Sequence, residues 1–371
     1  GMRARAADLV TQELGPRTDL DIHRNLQRQV EAERWTQLDR QLVRDGRDTG
    51  VIDLASAANA QPDEYHVFKV GRVRKLETLG LAEQVGPGQW MIDDRAEATL
   101  RELGERGDII KRIHRALTDQ GIERGSATYV LAAERLDTPI VGRLVDRGLD
   151  DELKGSAYAV VDGTDGRTHH IKLSDLDAAG DSAPGSIVEL RKFHDARGDG
   201  RVALAVRSDL DVERQVTAIG ATWLDRQNIA REPIALSQGG FGAEVREAMQ
   251  RRADHLAERG LGERHGQRIS FARNLIDTLR CRELEALGEK LSAETGQPFN
   301  RVRGGEYVAG SYRQRYTLAS GRFAMIDDGL GFQLVPWTPS LEKHLGRHVS
   351  GVARNDDGID WSFARKRGLG L

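Results

Sequence analysis

The chain has 371 residues, 39% of them hydrophobic and 30% charged, and its 55 lysines and arginines against 58 acidic residues leave a net charge of −3. Its length allows two to four domains and a sizeable core, and the near-balance excludes a polycation, so a nucleic-acid site has to arise from local clustering. A single cysteine, Cys281, excludes an internal disulfide; no apolar run approaches the roughly 18 residues of a membrane span and no signal peptide is visible, so the expected location is cytoplasmic.

In chain order, residues 3–16 read as a short helix, RARAADLVTQEL, ended by Gly15-Pro16. Thr18 and Asp19 are candidate caps for a second helix carrying Leu20, Ile22, Leu26 and Val30 near one face. Trp35, Leu38 and Leu42 mark a third helix ending near Gly46, and Val51–Leu54 is strand-like. The stretch from Tyr65 to Ile92 organises this part. Val67, Val70, Val73, Leu76 and Leu79 recur at three-residue steps, with Lys69, Arg72, Arg74 and Lys75 off that stripe. Gly80 then caps the helix, and Ala82–Val85 and Gln89–Ile92 can pair around Gly86-Pro87-Gly88. This is the order of a recognition helix and wing, the arrangement winged helices use on duplex DNA; the plainer alternative is packing or protein contact. Asp94–Gly121 reads as two helices interrupted at Gly104–Gly107.

From Pro139 to Arg207 the period becomes alternating. Strands are expected at Ile140–Val145, Ala157–Asp162, Arg167–Leu173, Ser186–Phe193 and Arg201–Arg207, which suggests a small barrel. Only Tyr158 and Phe193 offer aromatic stacking there, which favours a scaffold over a single-strand platform. Helices resume at Leu210–Ile229 and Phe241, and Ala248–Phe271 echoes the first helix and wing with its own basic residues, Arg251, Arg252 and Arg268. After a long helix over Arg273–Ala293 the chain returns to β, with six candidate strands and a short helix capped by Thr338-Pro339. The fold class is therefore α+β in several modules. Residues 2–136 form a helical part with a winged-helix-like module at about 18–92, 137–210 a small β-barrel, 211–300 a second helix-wing segment, and 301–371 a β-rich part with a basic tail.

The search for chemistry yields little. His169-His170 sits on a strand, where neighbours face opposite ways and cannot chelate one ion. His344 and His348 are separated by Gly346, and the acid pairs Asp327-Asp328 and Asp356-Asp357 lie beside turn glycines. No nucleophile elbow, phosphate loop or metal set is present, and no cofactor or metal is expected. Arg365, Lys366 and Arg367 form a basic tail, suited to solubility, to an electrostatic contact or to an export signal.

The C-terminal third, LASGRFAMIDDGLGFQLVPWTPSLEKHLGRHVSGVARNDDGIDWSFARKRGLGL, resembles the end of relaxases, the mobilisation nucleases of conjugative plasmids. Val335–Gly351 is its most specific part. Similarity extends upstream through GERGDIIKRIHRAL, VGRLVDRGLDDELKG, SAYAVVDG and DSAPGSIVELR to the first winged segment, so it covers nearly the whole chain. The region looks like the C-terminal portion behind the nuclease domain of relaxases related to the Agrobacterium type. The nuclease machinery of that family, a tyrosine with a His-hydrophobe-His motif and a third histidine, has no counterpart: His169-His170 lacks the hydrophobe, and Tyr312 and Tyr316 lie in the wrong region. The resemblance thus implies a non-catalytic region. One expectation is a DNA-binding and docking module, contacting the origin-of-transfer duplex through Lys69, Arg72, Arg74, Lys75, Gln89, Arg251, Arg252 and Arg268. The other is a protein-interaction module that meets the type IV coupling protein through Arg365, Lys366 and Arg367, with no DNA contact of its own.

Overall fold

A computed structural model describes residues 19–55, 64–131, 138–194 and 197–363. The expected first helix and the tail Arg365–Arg367 lie outside those residues. The chain divides into two compact units, Gly1–Arg112 and Ile113–Leu371.

In the first unit, α1 (Asp19–Glu31), α2 (Gln37–Asp45) and α3 (Glu64–Thr78) precede a hairpin of β2 (Ala82–Gly86) and β3 (Gln89–Ile92), to which β1 (Ile52–Asp53) adds a third strand in the order β1-β3-β2. Helix α2 starts in a capping box, in which Thr36 and Asp39 satisfy each other's backbone N–H. Leu42, Ile52, Val73, Leu76, Trp90 and Leu100 form the core. The expected apolar stripe on α3 holds only in part, because Val67 is 73% exposed while Val73 and Leu76 are fully buried. A three-residue step falls short of the 3.6-residue turn and slips about 60° per step, so the row winds off the core face. Arg72, four residues before Leu76, lies on the buried face instead.

The helix α4 (Ala96–Asp119) runs without a break where two helices are expected. Gly104 is buried within it, and a Cβ there would meet Arg34 Cβ at 2.9 Å. The glycine serves close packing, not termination.

The second unit contains all five expected central strands: β5 (Ile140–Asp151), β6 (Ser156–Gly163), β7 (Thr168–Leu173), β8 (Ile187–His194) and β9 (Gly200–Ser208). With the short strand β4 (Tyr129–Val130) they form an open six-stranded sheet, ordered β4-β7-β6-β5-β8-β9, and not the expected barrel. Closure would pair β7 with β9, but the outer edge of β7 is taken by the parallel strand β4. One face buries Leu144, Ala159, Val161, Ile171 and Leu190, joined by Ala179 of the short helix α5 (Leu176–Ala179). Ile187 and Val141 meet a second helical module made of α6 (Val212–Val216), α7 (Trp223–Ile229) and α8 (Gly240–Glu258). The helical stretch expected over Leu210–Ile229 consists of two helices, each with its own N-cap, Asp211 and Thr222.

After α8 come a hairpin of β10 (Gly262–His265) and β11 (Arg268–Phe271) and the long helix α9 (Leu275–Thr295). The C-terminal sheet, ordered β14-β13-β12-β15-β16, comprises β12 (Tyr307–Leu318), β13 (Gly321–Asp327), β14 (Phe332–Pro336), β15 (His348–Ala353) and β16 (Ile359–Ser362), with α10 (Pro339–Glu342) after β14. Glu283 of α9 fastens the β12–β13 turn by accepting from Ala319 N, Ser320 N and Ser320 Oγ at 2.5–2.9 Å.

Candidate nucleic-acid interface

The two helix–hairpin segments share more than their outline. In the first unit, Arg72 on α3 is fully buried and makes five hydrogen bonds, two to the Asp39 carboxylate (2.7 and 2.9 Å) and three to the carbonyls of Val30, Ala32 and Arg34. In the second unit, Arg252 on α8 is equally buried and donates twice to Asp225 (2.8 and 2.9 Å) and to the carbonyls of Val216, Ala218 and Gly220. Asp39 and Asp225 are each the third residue of a capping box with a threonine, Thr36 or Thr222. A glutamine seven residues before each threonine, Gln29 or Gln215, accepts from the N–H two residues after that threonine. The two copies differ in spacing: 33 residues separate Asp39 from Arg72, and 27 separate Asp225 from Arg252.

The planar guanidinium suits this place because each of its donors meets an acceptor, which a buried charge requires. This finding corrects the expected DNA role of Arg72 and Arg252. Neither side chain reaches solvent; each fastens the helix before the hairpin to the capped helix and to the loop that leads into it.

The remaining expected cations are distributed unevenly. Lys69 is mostly covered and pairs with Asp45 at 2.9 Å, while Lys75 lies 3.5 Å from Glu31. Gln89 donates to Asp53 at 3.3 Å. Arg74 is exposed on α3. Arg251 forms a forked pair with Glu213, which holds that carboxyl below its usual range and the guanidinium above its own. Arg268 is exposed on β11 and pairs with no described residue.

The hairpins themselves diverge. The first has no lysine or arginine from Ala82 to Ile92, and exposes Glu83, Gln84, Val85, Pro87 and Met91. The second exposes Arg264, His265 and Arg268, flanked by exposed Arg259 before it and Arg273 after it. Of these arginines only Arg264 is paired, with Asp254 at 2.7 Å. Arg259, Arg264 and Arg273 were not among the expected contacts; the register pairs Arg268 with His265 on one face of the hairpin and Arg264 with Ile269 on the other, so exposed arginines stand on both faces and at both ends of Gly260–Phe271.

Elsewhere, His169 bonds Asp165 at 2.8 Å. Burial raises the Asp165 pKa, but the bond from His169 and the Arg167 N–H outweigh it and hold the carboxyl below its usual value. His170 stacks on Tyr158 with ring centres 5.5 Å apart. Among the described residues no group of three histidine, cysteine or acidic side chains is placed to hold a metal.

No curated protein and no solved structure matches the chain. Residues 69–198 and 191–370 match a family described as a protein of unknown function (DUF3363). With the two matched stretches spanning most of its length, the chain belongs to that family.

Proposed function

We propose that this chain is the non-catalytic C-terminal region of a conjugative relaxase and that it binds duplex DNA through its second helix–hairpin module. The observation that carries the DNA reading is the exposed basic hairpin β10–β11, with Arg259, Arg264, Arg268 and Arg273 on and beside it. Two-stranded wings bind the phosphate backbone through such side chains while the preceding helix approaches the groove. The order of three helices and a hairpin, α6–α7–α8 and β10–β11, supports a winged-helix reading, and α1–α2–α3 with β2–β3 repeats that order. The relaxase assignment rests on the resemblance of the segment Val335–Gly351 and of the stretches upstream.

The test is a fluorescence anisotropy titration of labelled duplex DNA with the double variant R264A/R268A. Each lost phosphate contact makes the log–log salt slope shallower by about 0.9, so a weaker complex with a slope reduced by about two is expected. Unchanged affinity and slope would remove the hairpin from the interface. A second reading, contact with a transfer protein, is favoured by the first hairpin, whose exposed Val85 and Met91 (each 47%) and lack of cations suit a protein surface better than phosphate. Deleting residues 364–371 tests the export form of that reading: transfer of a fused reporter should fail, and undiminished transfer refutes it.

A further inference from the structure

Within the second unit a cleft of about 910 Å³ opens where the edge of the central sheet, helix α7 and the β12–β13 turn converge, with Trp337 and α10 at its rim. Its size lies within the roughly 300–1,000 Å³ of small-molecule sites. We propose that it binds a nucleotide, free or as one unit of a single strand. This site is separate from the basic hairpin and does not depend on it.

Charge is the first argument. Arg226 of α7 and Lys343 after α10 both line the cleft, both are exposed, and neither side chain bonds or pairs with any described residue. Against these two cations stands one free carboxylate, Asp177. The other lining charges are committed. Arg322 is gripped by Asp209 (2.8 and 2.9 Å) and Asp181 (2.8 Å), and Asp181 also takes Arg315 at 3.0 Å. Arg315 and Arg322 are thus balanced by Asp181 and Asp209, whereas Arg207 shares Glu189 with Arg191, so two guanidiniums face one carboxylate there. In a chain of net charge −3 this is a local positive surplus, and it suits a phosphate, which accepts from both kinds of cation and carries up to two charges.

The second argument is the aromatic wall. Trp337 is half-buried at the rim, and its ring is held by the guanidiniums of Arg315 and Arg322, 4.8 and 5.6 Å from its centre, while its indole N–H donates to Glu342 at 3.1 Å. Guanidinium planes already lie over this ring, so a base at the rim adds to an existing stack, and stacking on aromatic or guanidinium planes tolerates any base. The floor, Ala319–Gly321, is pinned by Glu283, so the cleft is built on braced backbone.

Binding is read by anisotropy of fluorescein-labelled oligothymidylate of ten nucleotides, with the intact chain and its R226A/K343A and R264A/R268A variants. Neither Arg226 nor Lys343 holds another described side chain, and circular dichroism checks that the fold persists. The expected result is binding that weakens at least tenfold in R226A/K343A and changes less than twofold in R264A/R268A. Competition by thymidine monophosphate identifies a single nucleotide as sufficient; retained binding without competition identifies the strand. Absence of binding at low salt overturns the proposal, as does equal affinity in R226A/K343A or equal displacement by polyglutamate. Loss in R264A/R268A alone assigns the strand to the hairpin and also overturns it. Duplex affinity measured on the same variants reports separately on the proposed winged-helix role.

Discussion

Truncating Arg252 to alanine separates a structural from a DNA-contacting role for this residue. The change deletes all five hydrogen bonds of the guanidinium and leaves the fully buried Asp225 carboxyl with the Thr222 N–H and hydroxyl as its remaining donors, beside three carbonyls without their donor. Removing one member of a buried ion pair costs about 3–5 kcal/mol. Each stranded carbonyl adds a share of its own about 1–3 kcal/mol, although such terms overlap and do not sum. A loss of about 4 kcal/mol is therefore the working figure, which at roughly 2–4 °C per kcal/mol for a unit of this size lowers its melting temperature by about 8–16 °C. Thermal and urea unfolding of the wild type, R252A, D225A and the double variant supply the check. Removing both partners should cost less than the sum of the single changes, because no uncompensated charge is left. R72A should behave in the same way in the first unit. R252A melting within about 2 °C of wild type while losing DNA affinity would refute the reasoning and return the arginine to the interface.

Further outcomes follow from other contacts. Glu283→Ala frees three donors at the β12–β13 turn and should cost about 2 kcal/mol or more in urea unfolding, whereas Glu289→Ala on the exposed side of the same helix should stay within about 0.5 kcal/mol. Gly142→Ala would put a Cβ 2.3 Å from the Asp162 carbonyl across a strand pair, so β5 and β6 must part and the melting temperature should fall by several degrees, about 1–3 kcal/mol; an unchanged value contradicts the packing. Burial, helped by Arg252 and Arg259, holds the His255 pKa below 6.5. The unfolded chain then takes up a proton that the folded chain resists, so stability should decline as pH falls from about 6.5. His255→Gln should flatten that limb of the stability–pH curve, and an unchanged slope would exclude His255 as its source.

Much of the α/β alternation was legible from period alone. The five central strands follow from alternating apolar residues and Gly-rich turns such as Asp162–Gly166, and Gly46 and Gly80 end helices as their left-handed or turn preferences suggest. The openness of the sheet was not legible, since it depends on a two-residue parallel strand, Tyr129–Val130, too short to carry a pattern. The burial of Arg72 and Arg252 was hidden for a different reason. An arginine on an amphipathic helix reads as solvated unless its acceptors are known, and these come from residues 27 to 42 positions earlier in the chain. A signal did exist in retrospect: Thr36-Gln-Leu-Asp39 after Gln29 and Thr222-Trp-Leu-Asp225 after Gln215 are the same pattern, each followed by a helix with a buried arginine four residues before a leucine. Residue type alone identified Arg268 as a candidate, but only the pairing of Lys69, Lys75 and Arg251 with carboxylates shows which cations are already neutralised.

The most direct test of the central claim is a titration of the intact chain against a labelled duplex of about 20 base pairs, repeated from 50 to 300 mM salt. With Arg259, Arg264, Arg268 and Arg273 meeting phosphates, the log of the association constant should fall against log salt with a slope of about −3 to −4. No measurable complex at 50 mM salt, or one whose affinity is indifferent to salt, would contradict the proposed DNA-binding role.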